Sequence, residues 1–170
     1  VNSLRATQDV SLFITGSNGK LLSSELATLL SGRYISVRIM PFSYREVVEY
    51  TGVENADRQD AFLKYVQWGG MPQLYNLQNE SQYTAYLEDL YNSIILRDIV
   101  ERYGFKDVNL LNRILQFVIE NIGGIFSANS IAKYLKSEKL AVSPATIYKY
   151  LDAIESSLII SRANRYDIRG

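Results

Sequence analysis

Three small polar positions and one arginine are the residues best placed for chemistry. Phe13 and Ile14 run into Thr15-Gly16-Ser17-Asn18, and Arg33 follows at Ser31-Gly32-Arg33-Tyr34. In an open α/β sheet, ligands sit just beyond the carboxyl ends of the strands. Thr15, Ser17 and Asn18 would there meet a phosphate or an attacking water. Equally, they make a turn and cap the next helix. An arginine at the end of a helix can reach a neighbour's phosphate or simply stand at the surface.

The remaining inventory narrows the chemistry. Among 170 residues there is no cysteine and no histidine. A disulfide framework, a thiol nucleophile, a His/Cys zinc site and an imidazole base are all excluded. No metal site is expected. Glu88-Asp89 and Asp98 with Glu101 are read as charges on solvated helix faces. Thirteen tyrosines suggest a stacking platform for single strands. Tyr83, Tyr86 and Tyr91 nevertheless fall on or beside an apolar helical stripe, which places them in a core.

The elements that must carry these residues follow from spacing. Val10, Leu12, Phe13 and Ile14 predict a buried strand. Leu21, Leu22, Leu26, Leu29 and Leu30 predict a helix closed by Gly32. Tyr34, Ile35, Val37, Ile39 and Met40 predict a second strand ended by Pro41. Strand, helix, strand is the order of a parallel βαβ unit. Two parallel strands leave edges and faces open, so further strands or a partner must cover them.

From Ser43 the pattern is helical. Ser43 with Glu46 forms a capping box for a helix to Thr51. Asp57 opens residues 57–68, which Gly69-Gly70 closes before Pro72. Asn79 with Gln82 opens a long helix to Tyr103. Asp107 caps one to Asn121. Ser127 and then Ser143-Pro144 open two short helices, with Ile131, Leu135, Ile147, Leu151 and Ile154 on facing stripes. Leu158, Ile159 and Ile160, with Arg162 to Tyr166, predict a strand.

Whole-chain charge is balanced, with 18 basic and 18 acidic side chains. Residues 125–170 carry seven basic and four acidic side chains, so this segment is mildly basic. Two short helices with a tight link, a third before them and a strand after, describe a winged helix-turn-helix. Its wing would be truncated at Gly170. If it binds duplex DNA, Ser143, Thr146 and Lys149 face the groove, and Lys133, Lys136, Lys139 and Arg162 meet phosphates. Asp152 and Glu155 on the same helix favour the alternative, a protein-docking module.

Read together, the stretch Ile14-Thr15-Gly16-Ser17-Asn18 through Ser31-Gly32-Arg33-Tyr34 resembles a bacterial and archaeal branch of AAA+ P-loop ATPases. Tyr65-x-x-x-Gly69-Gly70-x-Pro72, the run from Tyr86 to Tyr103, and Val142-Ser143-Pro144 through Leu151 are similar to the same branch. The resemblance implies a mostly α chain with a small parallel β remnant. Residues 1–42 would end the ATPase core, 43–78 form the helical lid region, 79–124 the connecting helices, and 125–170 the winged helix. It implies Asn18 as the sensor, with Thr15 and Ser17 beside it, and Arg33 as the arginine finger. It also implies ATP and Mg²⁺ for the parent protein, the rest of that core as a partner, and a homo-oligomer. The glycine-rich loop G-x-x-x-x-G-K-[ST] is absent from these residues, and Gln73 stands where a second sensor arginine is expected. The chain alone is therefore expected to be inactive, with no cofactor of its own. Val1 rather than Met opens it, as expected of a piece of a longer protein. No apolar run reaches the roughly 18 residues of a membrane span, and a cytoplasmic setting is expected.

Overall fold

The computed structural model describes residues 11, 13–16 and 35–163. Val10, Leu12, Ser17, Asn18, the helix over 21–31, Arg33, Tyr34 and the run 164–170 lie outside them. The described residues are mostly helical and contain no strand. Residues 13–16 and 35–41 form no ladder. Ile35, Val37 and Ile39 are 92%, 73% and 85% exposed. Their β-branched side chains favour extended backbone, but a strand exists only through a partner's hydrogen bonds. The expected strand after residue 157 is likewise not formed within the described residues: Leu158 turns left-handed with φ 64°, and residues 160–163 run without a ladder.

The described chain divides into two units, 35–93 and 94–163. In the first, Ser43 caps α1 (Tyr44–Thr51) through the expected capping box. Ser43 N–H donates to Glu46 Oε2 at 2.8 Å while Ser43 Oγ accepts from Glu46 N–H. The Ser43 N–H first, and the Ser43 hydroxyl that donates to the same oxygen at 2.8 Å, hold the Glu46 carboxyl below its ordinary range. Gly52, at φ 67°, ends the helix. A 3-10 turn (Asn55–Asp57) precedes α2 (Arg58–Trp68). Asp57 takes the cap position but makes no cap bond, because that turn already positions the first helical residues. A second 3-10 turn (Pro72–Asn76) leads to α3 (Glu80–Ser93). Asn79 Oδ1 accepts from Gln82 N–H at 3.1 Å. The return bond is shifted by one residue, with Gln82 Oε1 accepting from Gln78 N–H at 2.8 Å. Val47, Leu74 and Tyr83 are buried.

The two glycines between α2 and the second turn serve different needs. Gly69, at φ 81° and ψ −169°, holds a conformation open to glycine. Gly70 lies so near Phe42 that a Cβ would stand 1.9 Å from the Phe42 carbonyl oxygen.

In the second unit Ile94–Glu101 is π-helical, replacing the end of the single long helix that spacing predicts. Ile95 and Ile99 are nonetheless buried, as that stripe requires. Asp107 caps α4 (Val108–Glu120), its carboxylate accepting from Leu110 N–H at 2.8 Å. Ser127 caps α5 (Ala128–Ser137) and Ser143 caps α6 (Pro144–Ser156), both as expected. The three helices pack on one another. Ile131, Leu135, Ile147, Leu151 and Ile154 share one buried cluster with Leu111, Ile114 and Leu115. Phe105 stacks on Tyr150 at 4.0 Å. Arg113 pairs with Glu138 at the end of α5, and Lys139 makes the left-handed step there, at φ 63°.

Candidate functional site

Of the candidate residues that the structure describes, Ser143 and Thr146 stand at the start of α6. Pro144 sets the first turn and Ser143 lies just outside it, as the missing Pro N–H and the capping hydroxyl dictate. Ser143 Oγ accepts from Thr146 N–H at 3.1 Å and shares a hydrogen bond with Thr146 Oγ1 at 2.9 Å. Both hydroxyls are thereby engaged with each other. Ser143 is exposed and Thr146 half-buried.

An open groove of about 600 Å³ runs between α5 and the chain entering α6. Lys133, Lys136 and Ser143 line it, with Asn129, Ala132 and Val142. The lysines lie at i and i+3 of α5 and therefore share a face. Both are exposed. Lys149 is exposed on α6. Two lysines of α5 and the cap residue of α6 thus border one open groove.

Arg162 does not join this group. Its guanidinium binds Asp152 and lies 2.6 Å from Glu155 Oε2. The Asp152 hydrogen bond, with Glu155, raises its pKa further. Two carboxylates thus neutralise the side chain expected to meet a phosphate. The left-handed Leu158 reverses the chain after α6, and residues 152, 155 and 162 meet as a result.

Thr15 is exposed. Asn18, Ser17 and Arg33 lie outside the described residues.

A second groove, in the 35–93 unit, was not singled out in the sequence. It encloses about 380 Å³ against Lys64, Trp68 and Tyr83. Lys64 Nζ donates to Tyr83 Oη at 2.8 Å and stands 4.8 Å from the ring centroid. Trp68 meets Tyr83 edge-on at 5.3 Å. The available signal was the i, i+4 spacing of Lys64 and Trp68 on α2. Among the described residues no three acidic side chains converge as metal ligands. No described helix is long and apolar enough to cross a membrane.

Comparison with known proteins adds two family matches. Residues 1–48 match a family described as "AAA domain". Residues 59–169 match one described as "Domain of unknown function (DUF8612)". A protein of Haemophilus influenzae described as uncharacterized is 38% identical over 172 residues, covering 100% of this chain and 43% of its own length. An uncharacterized protein of Methanocaldococcus jannaschii is 27% identical over 167 residues, covering 93% of this chain and 38% of its own. The chain thus spans less than half the length of either relative. No solved structure matches. The match over 59–169 takes in more than half of the sequence, so the chain belongs to the family described as Domain of unknown function (DUF8612), with a segment similar to an AAA domain at its N-terminal side.

Proposed function

We propose that residues 1–42 are the end of an AAA-type ATPase core, with its small parallel β remnant. In this reading 43–78 are a helical lid, 79–124 connecting helices, and 125–170 a winged helix. The parent protein binds and hydrolyses ATP with Mg²⁺. The observation that carries this reading is the AAA match over 1–48, which contains both Thr15-Gly16-Ser17-Asn18 and Arg33.

The residues present do not hold ATP and Mg²⁺ by themselves. In this reading the glycine-rich loop that would cradle the phosphates is absent from the sequence. The nucleotide is held by other parts of the parent protein. Asn18 is assigned the sensor position with Thr15 and Ser17 beside it, and Arg33 reaches a neighbouring subunit's phosphate. In the full-length protein, Arg33→Ala should keep the fold and cut ATP turnover by about 10³-fold or more. Normal turnover per subunit would make Arg33 a plain surface residue. This chain alone should give no stoichiometric ATP titration, and micromolar binding would overturn that.

A second reading is favoured by one observation. Lys133, Lys136 and Ser143 line one groove at the start of α6, with Lys149 exposed on the same helix. A winged helix presenting that face would bind duplex DNA through its phosphates. Binding should weaken with salt as counterions are released, and Lys149→Glu should weaken it further. Loss of salt-sensitive binding even at low ionic strength would favour a protein-docking role.

A further inference from the structure

The Tyr65-x-x-x-Gly69-Gly70-x-Pro72 motif grips the main chain of one distant residue. Phe42 N–H donates to the Gly70 carbonyl at 2.7 Å. The Phe42 carbonyl accepts from the Tyr65 hydroxyl at 3.1 Å. Both hydrogen-bonding groups of Phe42 are thus committed to the motif. Its ring meets Tyr50 at 5.3 Å.

The approach is as close as backbone allows. A Cβ on Gly70 would stand 1.9 Å from the Phe42 oxygen, 2.9 Å from its carbonyl carbon and 3.0 Å from its nitrogen. Those are backbone atoms, which cannot swing aside as a side chain would. The motif is itself braced. Gly69 N–H donates to the Tyr65 carbonyl at 2.8 Å, and the Tyr75 hydroxyl donates to the Gly69 carbonyl at 2.7 Å.

On the N-terminal side of Phe42 the picture changes at once. Residues 35–41 run extended without a ladder, and Ile35, Val37 and Ile39 face solvent. On its C-terminal side, Ser43 already caps α1. A joint that only needed stability could bury apolar side chains at this point. Gripping main chain instead fixes the path of the segment itself, whatever side chains it carries.

We propose that the Tyr65–Gly70 motif is a clamp that carries movement of the segment ending at Phe42 into α1 and α2. Tyr65 and Gly70 are positioning residues in this role and touch no substrate. The proposal rests on the ATPase reading above, in which the residues before Phe42 belong to the nucleotide-responsive core. The motif is then the mechanical link between nucleotide state and the helical unit.

The test uses the full-length protein and amide hydrogen exchange, with and without a non-hydrolysable ATP analogue and Mg²⁺. In the wild type, the analogue should change exchange both in residues 1–42 and in α2. Tyr65→Phe removes one hydroxyl and keeps the ring. It should leave analogue affinity near wild type. The Phe42 amide keeps its bond to Gly70, so its exchange should rise by at most about fivefold, through the loosening that follows loss of the one bond to the Phe42 carbonyl. The analogue-linked change in α2 should shrink to a fifth or less, while that in residues 1–42 persists. Gly70→Ala should abolish the α2 response if it folds, and Tyr65→Phe decides the matter if it does not. An α2 response unchanged in Tyr65→Phe overturns the clamp and leaves the ATPase reading standing. A wild-type protein with no analogue-linked change anywhere overturns both.

Discussion

The two units of this chain solve the problem of folding by different means. Among the described residues of 94–163, fifteen buried side chains form one continuous cluster across α4, α5, α6 and the π-helical segment. In 35–93 only Val47, Leu74 and Tyr83 of the described hydrophobic residues are buried. Phe62, Leu63 and Val66 stand largely exposed on α2. The smaller unit relies instead on tyrosine hydroxyls aimed at carbonyl oxygens: Tyr44 to Arg58, Tyr65 to Phe42 and Tyr75 to Gly69. Such bonds fix direction but contribute only about 1 kcal/mol each. Apolar burial is non-directional and scales with area. The larger unit is held mainly by buried apolar area, and the smaller one leans on directional bonds.

The strongest way to break this contrast is to open the larger core. Leu135 is fully buried among Ile131, Ile147 and Ile154. Leu135→Ala should cost about 2–5 kcal/mol, read by denaturant unfolding of the 94–163 unit. A cost under about 1 kcal/mol would mean that the cluster repacks freely and is no closed core. A smaller effect tests a local bond within the same unit. Ser143→Ala removes the α6 cap and should cost about 1 kcal/mol. Its neutrality would show that Pro144 alone starts the helix.

The smallest effect belongs to the smaller unit. Its Glu46 carboxyl is held below its ordinary range by the Ser43 donors. A carboxylate lowered in the folded state lends stability above its unfolded pKa, and loses it as pH falls through the folded value. Acidification below about pH 4 should therefore loosen α1, with faster exchange of its first-turn amides. Glu46→Gln should abolish that pH dependence, and a retained dependence would assign it elsewhere.

Helix starts were legible because each is decided within four residues. Ser43, Asp107, Ser127 and Ser143 all cap as their types dictate. The described part of the strand expected over 34–40, residues 35–40, forms no ladder, since a ladder depends on a partner that local pattern does not contain. The π-helical turns at 94–101 also escaped, because Ile95 and Ile99 satisfy an α-helical stripe equally well. Gly69-Gly70 was legible as a helix end. The reason Gly70 tolerates no side chain lies in Phe42, 28 positions earlier in the chain. For the site, chain order placed Lys133, Lys136 and Ser143 near one another. The pairing of Arg162 with Asp152 and Glu155 was not legible, because it depends on a reversal at Leu158.

The edge-on contact of Trp68 with Tyr83 has a practical outcome. Trp68 is the sole tryptophan of the sequence, and it sits in the 35–93 unit. Excited tyrosines nearby will pass their energy to its indole, so intrinsic fluorescence follows the loss of that unit. Circular dichroism follows the helices of both. Denaturation curves from the two signals should separate, fluorescence first, so that the smaller unit is followed without any added label.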